Sequence, residues 1–360
     1  MSRARRYFLL AIALVASLTV AAVTLLYTPY RHFTGELYLT FERGAGSRAM
    51  ARELAGAGVI RWSWQFVLMR ALYPSATLQA GEYLFVQPAS VKEVFARIAR
   101  GDVWFFEFTV PEGSNMFDIA AALDASGVLS GAEFLKAASD PTPIRDLAPA
   151  APTQEGYLFP ATYRLTHSIT GPALCQMMTA QFRKEWKRIA ATENGTPQPA
   201  QQPVVTLASL VEKETALAAE RPVIAGVFTN RLRQNMRLDC DPTTIYAALL
   251  DGRYSGVIHR SDLDSKNPYN TYQNDGLPPG PIANPGREAL AAALHPAQTN
   301  FLYFVRKPDG SGHQFSATLS AHEKAVRDYR HAIPANATTA PGPRTPGPKA
   351  PGPKAPGKEG

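Results

Sequence analysis

The sequence predicts an α+β protein hung from one N-terminal transmembrane helix. Three features predict it: a charge-free apolar run, a short strand–helix–helix–strand segment after it, and a long stretch of capped helices closed by one hairpin. Hydrophobic residues make up 45% of the 360 residues and charged residues 19%, so most of the chain can bury a core.

The first element is the run at 7–30, which is 24 residues without a charge. Its centre, FLLAIALVASLTVAAVTLLY at 8–27, is long enough to cross ~30 Å of hydrocarbon as a helix. Arg3, Arg5 and Arg6 precede it, and Tyr27 and Tyr30 follow where an interfacial aromatic belt falls. Positive charge stays cytoplasmic, so residues 1–6 are expected inside and the remainder outside. A cleaved signal peptide is the competing reading, but its apolar core is usually only about 7–15 residues long.

The body opens with a repeat. Residues 39–60 align without a gap on 108–129, with Thr40/Thr109, Gly44/Gly113, Ala51/Ala120, Leu54/Leu123, Gly58/Gly127 and Val59/Val128 identical. Each copy reads as a strand, a glycine turn, an amphipathic helix and a closing Gly-Val. A second helix at 64–72, a strand at 81–85 and a helix at 91–98 complete a small α+β module.

Further along, helices are expected at 174–189, 204–219, 222–234, 242–250, 285–294 and 321–333. Asp241-Pro242 and Asn284-Pro285 read as N-caps with a following proline, and Ser320 with Glu323 as a capping box. Residues 301–305 and 313–317, joined through Asp309-Gly310-Ser311-Gly312, read as a β-hairpin. From 334 the chain becomes a Pro/Gly/Lys repeat with no apolar pattern, expected to be a disordered tail.

Charge narrows the function. Lys and Arg exceed Asp and Glu by seven, but +3 sits at each end, which leaves residues 7–333 at +1. A nearly neutral body offers no basic stripe for phosphates, so no nucleic-acid partner is expected. Two cysteines exclude a disulfide scaffold and a Cys-rich zinc site; a Cys175–Cys240 pairing stays open, two separate buried thiols being the simpler reading. The histidines form no H-x-x-x-H or H-E-x-x-H, and no G-x-S-x-G elbow is present, so neither metal nor cofactor is expected.

One carboxylate stands out. In VVTLASLVEKETALAA at 204–219, a helical wheel puts Leu207, Leu210, Val211, Leu217 and Ala218 on one stripe, with Glu214 in its middle. A charge there is costly unless it is paired or protonated, and desolvation would prepare it as a general acid. The bland alternative is a structural ion pair with Arg221 or Arg231. Glu212 falls on the outer face and reads as solvated. The polar stretch at 259–284 is too broken for a helix and carries Tyr269, Asn270 and Tyr272, whose rings and amides suit sugars. Those same amides could instead cap the loop's own backbone. EGYLFPATYR at 155–164 reads as an aromatic strand led by Glu155, whose bland reading is a core strand with a solvated acid.

At these residues the sequence resembles the YceG-like family of endolytic murein transglycosylases. The resemblance is carried by EGYLFPATY (155–163), LASLVEKETALAAER (207–221), VFTNRLRQNMRLDCDPTTIYA (227–247) and YNTYQNDGLPPGPIANPG (269–286). HPAQTNFLYFV (295–305) and GHQFSATLSAHEKAVRDY (312–329) extend it. The family's catalytic glutamate is followed by Thr within E-K-E-T, which maps onto Glu214 and Thr215. The resemblance also implies a LysM-like subdomain at 37–105 and a catalytic domain at 106–333, after a transmembrane helix at 7–30. The resulting fold is a small LysM-like α+β subdomain followed by a larger mixed α/β catalytic domain.

The implied activity is cleavage of nascent peptidoglycan glycan strands between N-acetylmuramic acid and N-acetylglucosamine, by one glutamate, leaving 1,6-anhydromuramyl ends. Tyr269, Asn270 and Tyr272, then Glu155 and Tyr157, are the expected glycan contacts. A bacterial cytoplasmic membrane, with the catalytic part outside, and peptidoglycan synthases as partners are implied as well. Two other readings stay open: a hydrolytic glycosidase using a second acid such as Glu155 or Asp241, and a non-catalytic wall-binding anchor.

Overall fold

A computed structural model describes residues 3–190 and 202–332. The expected tail from 334 onward lies outside the described residues, as do residues 1 and 2 of the expected cytoplasmic segment. The chain divides into two compact units, Met1–Phe106 with Arg164–His167, and Glu107–Tyr163 with Ser168–Gly360.

The first unit begins with helix α1 (Arg3–Tyr27), whose stretch Tyr7–Tyr27 is long and apolar enough to cross a membrane. Strand β1 (Leu37–Phe41), helices α2 (Ser47–Gly56) and α3 (Ser63–Leu72), strand β2 (Gly81–Phe85) and helix α4 (Val91–Arg100) follow. The strands pair antiparallel, with Leu37 opposite Phe85 and Phe41 opposite Gly81. Phe41, Leu54, Phe66, Tyr83, Phe85 and Ile98 fill the core between sheet and helices. Leu26 joins that core at 4% exposure, so the last turn of α1 is built into the unit. Start and stop of α4 follow from sequence: Ser90 and Glu93 cap each other reciprocally, and Gly101 ends the helix in the left-handed region.

The second unit starts with strand β3 (Phe106–Thr109), helices α5 (Met116–Ser126) and α6 (Gly131–Ala138), and strand β4 (Thr162–Leu165). The two strands pair. Helices α7 (Gly171–Ala190), α8 (Gln202–Glu214), α9 (Arg221–Arg233), α10 (Asp241–Leu250), the short α11 (Arg260–Leu263) and α12 (Arg287–Leu294) follow. The expected hairpin is present as β5 (Tyr303–Arg306) and β6 (His313–Ser316), antiparallel with Arg306 opposite His313, before helix α13 (Leu319–Ala332). Helix α8 lies at the centre of the core: Leu207, Leu210 and Val211 pack among Phe182 of α7, Ile224 and Phe228 of α9, Tyr246 of α10 and Leu290 of α12.

The two repeat copies fold alike. Strand β1 leads to α2 and the left-handed Gly58, at φ +74°; strand β3 leads to α5 and the left-handed Gly127, at φ +69°.

Five sequence readings need correction. The helix expected to 219 stops at Glu214, because the Thr215 hydroxyl accepts the Leu217 N–H at 3.0 Å and turns the chain out of the helix. Leu217 therefore leaves the apolar stripe and is exposed. The segment at 155–164 is a strand only from Thr162. Gly156 is left-handed at φ +87°, and the Asn284 side chain takes the Gly156 and Leu158 N–H groups that a strand would need. Asn284 consequently caps no helix; α12 begins two residues beyond Pro285, after Gly286. The same holds for Asp241 and Ser320, which lie inside the first turns of α10 and α13; Cys240 occupies the N-cap of α10, and the Thr318 hydroxyl accepts the Ala321 N–H.

Candidate active site

A cleft of about 1050 Å³ opens in the second unit. Its walls come from residues 108–114, from α5, from the end of α8 with Thr215–Leu217, and from Arg306, Gly310, Gly312 and His313 of the hairpin. Glu214 lines it, half-buried at the C-terminal end of α8.

The surroundings of Glu214 are unusual for a buried acid. Neither arginine expected as its partner reaches it. Arg231 pairs with Asp239, and Arg221 pairs with Glu212 at 2.9 Å and with Glu288. Lys213, the next residue, donates to the Gly113 carbonyl instead. The group that does reach Glu214 is the Cys240 thiol, which donates to Oε1 at 3.0 Å. Burial pushes the Glu214 carboxyl above its ordinary range; the thiol draws it down, the Asp241 charge raises it, and the His313 charge lowers it.

That thiol is held firmly. The Cys240 N–H donates to the Thr271 hydroxyl at 3.0 Å, the Thr243 hydroxyl donates to the Cys240 carbonyl, and the two hydroxyls meet at 2.9 Å. Cys175 and Cys240 are both free and buried, so no disulfide joins them. Burial pushes both thiols up, and at Cys240 the Glu214 charge adds to the effect. An S–H is a weak donor, so it can orient a carboxyl while pulling its pKa down only a little.

Beyond Glu214, the Thr215 hydroxyl donates to Glu220 at 3.1 Å. Glu220 also takes the His313 N–H and contacts His313 Nδ1, each at 2.7 Å. Burial alone would raise the Glu220 carboxyl, but these bonds outweigh it and leave it below its ordinary value. The hairpin is thereby fastened to the turn that follows α8.

Glu212 is not solvated. Its side chain is 5% exposed, with Oε1 on Arg221 and Oε2 accepting the Gly286 N–H at 2.9 Å. The outer face of α8 is covered by Arg221 and by the segment before α12, which a wheel of one helix does not reveal.

The expected glycan contacts fare differently from Glu214. Asn270 is wholly buried: its Nδ2 serves the carbonyls of Asp262, Leu263 and Ser265, and its Oδ1 accepts from the Thr244 hydroxyl and the Tyr272 N–H. Tyr269 packs on Tyr246 in the core, and Tyr157 on Phe182. Glu155 is 1% exposed and accepts from the Met116 N–H, the Tyr246 hydroxyl and Asn284 Nδ2. Burial pushes its carboxyl to about 8, against the pull of those donors. These four residues are buried, and none of them is among the residues that line the cleft. Tyr272 keeps a partly exposed ring and donates to Asp241 at 2.7 Å.

Sequence reasoning missed Cys240 as a neighbour of Glu214 and His313 as part of the cleft wall. The contacts span 26 and 93 residues, and no local pattern encodes either.

Comparison with known proteins places the chain in a family. The model of the YceG-like family matches residues 39–328. A Bacillus subtilis protein named endolytic murein transglycosylase is 33% identical over 303 residues, covering 79% of this chain and 82% of the relative. A Streptococcus pneumoniae protein of the same name is 27% identical over 314 residues, and the chain spans only 57% of its length. The crystal structure of a putative YceG-like protein from Listeria monocytogenes superposes with a TM-score of 0.52 at 28% identity, covering 80% of this chain and 98% of the other. With the match running through both repeat copies, α8 and the hairpin, the chain belongs to the YceG-like family.

Proposed function

We propose that the protein is a membrane-anchored lytic transglycosylase that cuts peptidoglycan glycan strands internally, with Glu214 as its single acid and base. The observation that carries this reading is a half-buried carboxyl on a cleft, bonded to one weak thiol donor and, among the described residues, in no ion pair. Raised by burial, it keeps its proton nearer to neutral pH than an ordinary glutamate does.

Glu214 protonates the oxygen linking N-acetylmuramic acid to N-acetylglucosamine, and that bond breaks at muramyl C1. The carboxylate then takes the proton of the muramyl C6 hydroxyl, whose oxygen bonds to C1. The 1,6-anhydro ring forms, Glu214 recovers its proton and no water is consumed. An intramolecular nucleophile has a high effective molarity, which removes the need for a second carboxylate to activate water. Neither Glu155 nor Asp241 is among the cleft-lining residues, which removes those two as the second acid of a hydrolase; Glu112, Asp118 and Glu212 do line it, and Glu212 is tied up by Arg221 and the Gly286 N–H. The arginine that would have made Glu214 a structural ion pair is spent on Glu212, which favours catalysis over a binding-only anchor.

Helix α1 is the anchor in this reading: one pass through a bacterial cytoplasmic membrane, N-terminus inside, catalytic part outside. Residues 37–105 form the LysM-like subdomain, supported by their β–α–α–β order and antiparallel strands, and 106–333 form the catalytic domain. Nascent glycan strands are the substrate, and peptidoglycan synthases working at the same membrane are the partners.

The test is mass spectrometry of muropeptides after the full chain meets uncrosslinked glycan strands, with Glu214→Gln in parallel. Anhydromuramyl ends are expected from the wild type, with a loss of at least ~10²-fold in the variant. Reducing ends would replace the transglycosylase by a hydrolase, and anhydromuramyl ends undiminished in the variant would remove Glu214 from the chemistry.

A further inference from the structure

Around the end of α1 the first unit exposes five aromatic and cationic side chains, Tyr27, Arg61, Trp62, Trp64 and Lys92, beside the half-buried Tyr30. Trp62 and Trp64 are 43% and 44% exposed and stack with ring centroids 6.2 Å apart. Large apolar rings left in water are costly, and an exposed stacked pair marks an interaction surface. The Arg61 guanidinium lies over Tyr30 at 5.1 Å and over Trp62 at 5.3 Å, and Lys92 lies over Tyr27 at 4.8 Å.

What covers this surface follows from how α1 enters the unit. The apolar stretch Tyr7–Tyr27 is 21 residues, about 31 Å at ~1.5 Å per residue, which matches the hydrocarbon layer with nothing to spare. Yet the unit already grips the helix inside that stretch. Leu26 is buried in its core, and Gln65 Nε2, one residue beyond Trp64, donates to the Leu25 carbonyl at 2.9 Å. Just after the helix, Tyr30 pairs with Ala89, and the His32 N–H bonds to Gly58. No free linker separates helix from unit, so the α3 start stands level with the helix end.

We propose that Trp62 and Trp64, flanked by Arg61 and Lys92, seat this unit in the phospholipid headgroup layer of the membrane that α1 spans. Indole rings prefer that depth, and the two cations favour anionic headgroups over zwitterionic ones. The proposal rests on α1 being a membrane-spanning helix. It adds a second, peripheral contact that fixes the unit's height and tilt.

The experiment reconstitutes the full chain in nanodiscs containing phosphatidylglycerol brominated near the top of its acyl chains. Bromine quenches tryptophan on contact. The chain has four tryptophans, so the wild type is expected to lose about half of its emission. The Trp62→Phe/Trp64→Phe double variant, in which Trp104 and Trp186 alone emit, is expected to lose little. Both sites are exposed, so the substitutions leave the core intact. Equal quenching in wild type and variant overturns the proposal. A spectral shift on adding soluble glycan strands, with no effect of bromine, also overturns it and assigns the pair to sugar. Extraction of the chain from the bilayer by alkaline carbonate overturns the spanning helix first, and the headgroup contact with it. That result is read before any quenching, so the two failures are distinguishable.

Discussion

At Glu214, burial raises the carboxyl and one hydrogen bond works against it. The Cys240 thiol donates to Oε1 and lowers the carboxyl slightly, while burial raises it more. In the proposed mechanism the acid acts while protonated, so activity should fall as pH rises through its pKa. Cys240→Ser supplies a stronger donor to the carboxylate and should move the alkaline limb of kcat/KM to lower pH. Cys240→Ala removes the donor and should move it to higher pH. A limb that stays in place in both variants, with only the rate altered, would show that the thiol does not tune Glu214. The sequence singled out Glu214 because an acid sat in an apolar stripe, and that stripe was half real. Leu207, Leu210 and Val211 are core, whereas Leu217 lies beyond the helix end. The thiol was invisible, because its contact depends on the start of α10 being packed against the end of α8.

At the scale of elements, two buried polar residues hold the ends of α8 and α12 in place. Arg221, 7% exposed, neutralises Glu212 on the outer face of α8. Arg221→Ala leaves that carboxylate buried without a cation, and breaking such a pair costs about 3–5 kcal/mol. Urea unfolding of the variant should show that loss with an unchanged m-value. Asn284 is wholly buried and joins three chain segments. It accepts the N–H groups of Gly156 and Leu158, and donates to the Ser114 carbonyl and to Glu155. Asn284→Ala strands both N–H groups, at about 1–3 kcal/mol each, and should lower the unfolding midpoint more than a surface Asn→Ala does. The helices themselves were legible from apolar spacing and proline positions. Their caps were less so: Asn284-Pro285 looks like a helix start, but the Asn side chain is taken by long-range partners that a local motif cannot anticipate.

For the molecule as a whole, pH acts through a second buried carboxyl, one that does not line the cleft. Burial holds Glu155 at about 8 against an ordinary 4.5. The folded chain therefore binds this proton more tightly than the unfolded chain does. Its stabilising share is complete below about pH 4.5 and is lost as pH rises towards about 8. Glu155→Gln removes that dependence, so the difference in Tm between variant and wild type should shift in the variant's favour from pH 5 to pH 8, by calorimetry. A difference that stays constant across that range would mean that Glu155 does not titrate there. Organisation at this scale was mostly legible: the apolar run, the repeated strand-and-helix copies and the hairpin all fold as read. The tying of the hairpin to the turn after α8 was not, since Glu220 and His313 lie 93 residues apart. That tie has a consequence for timing. A ribosome makes the chain from one end, so α8 and its glutamate exist long before the hairpin does. Until His313 has emerged and docked on Glu220, the cleft lacks a wall, and a nascent or truncated chain carries the acid without a place to use it. In the proposed mechanism the acid gains its site only after residue 313 has been made.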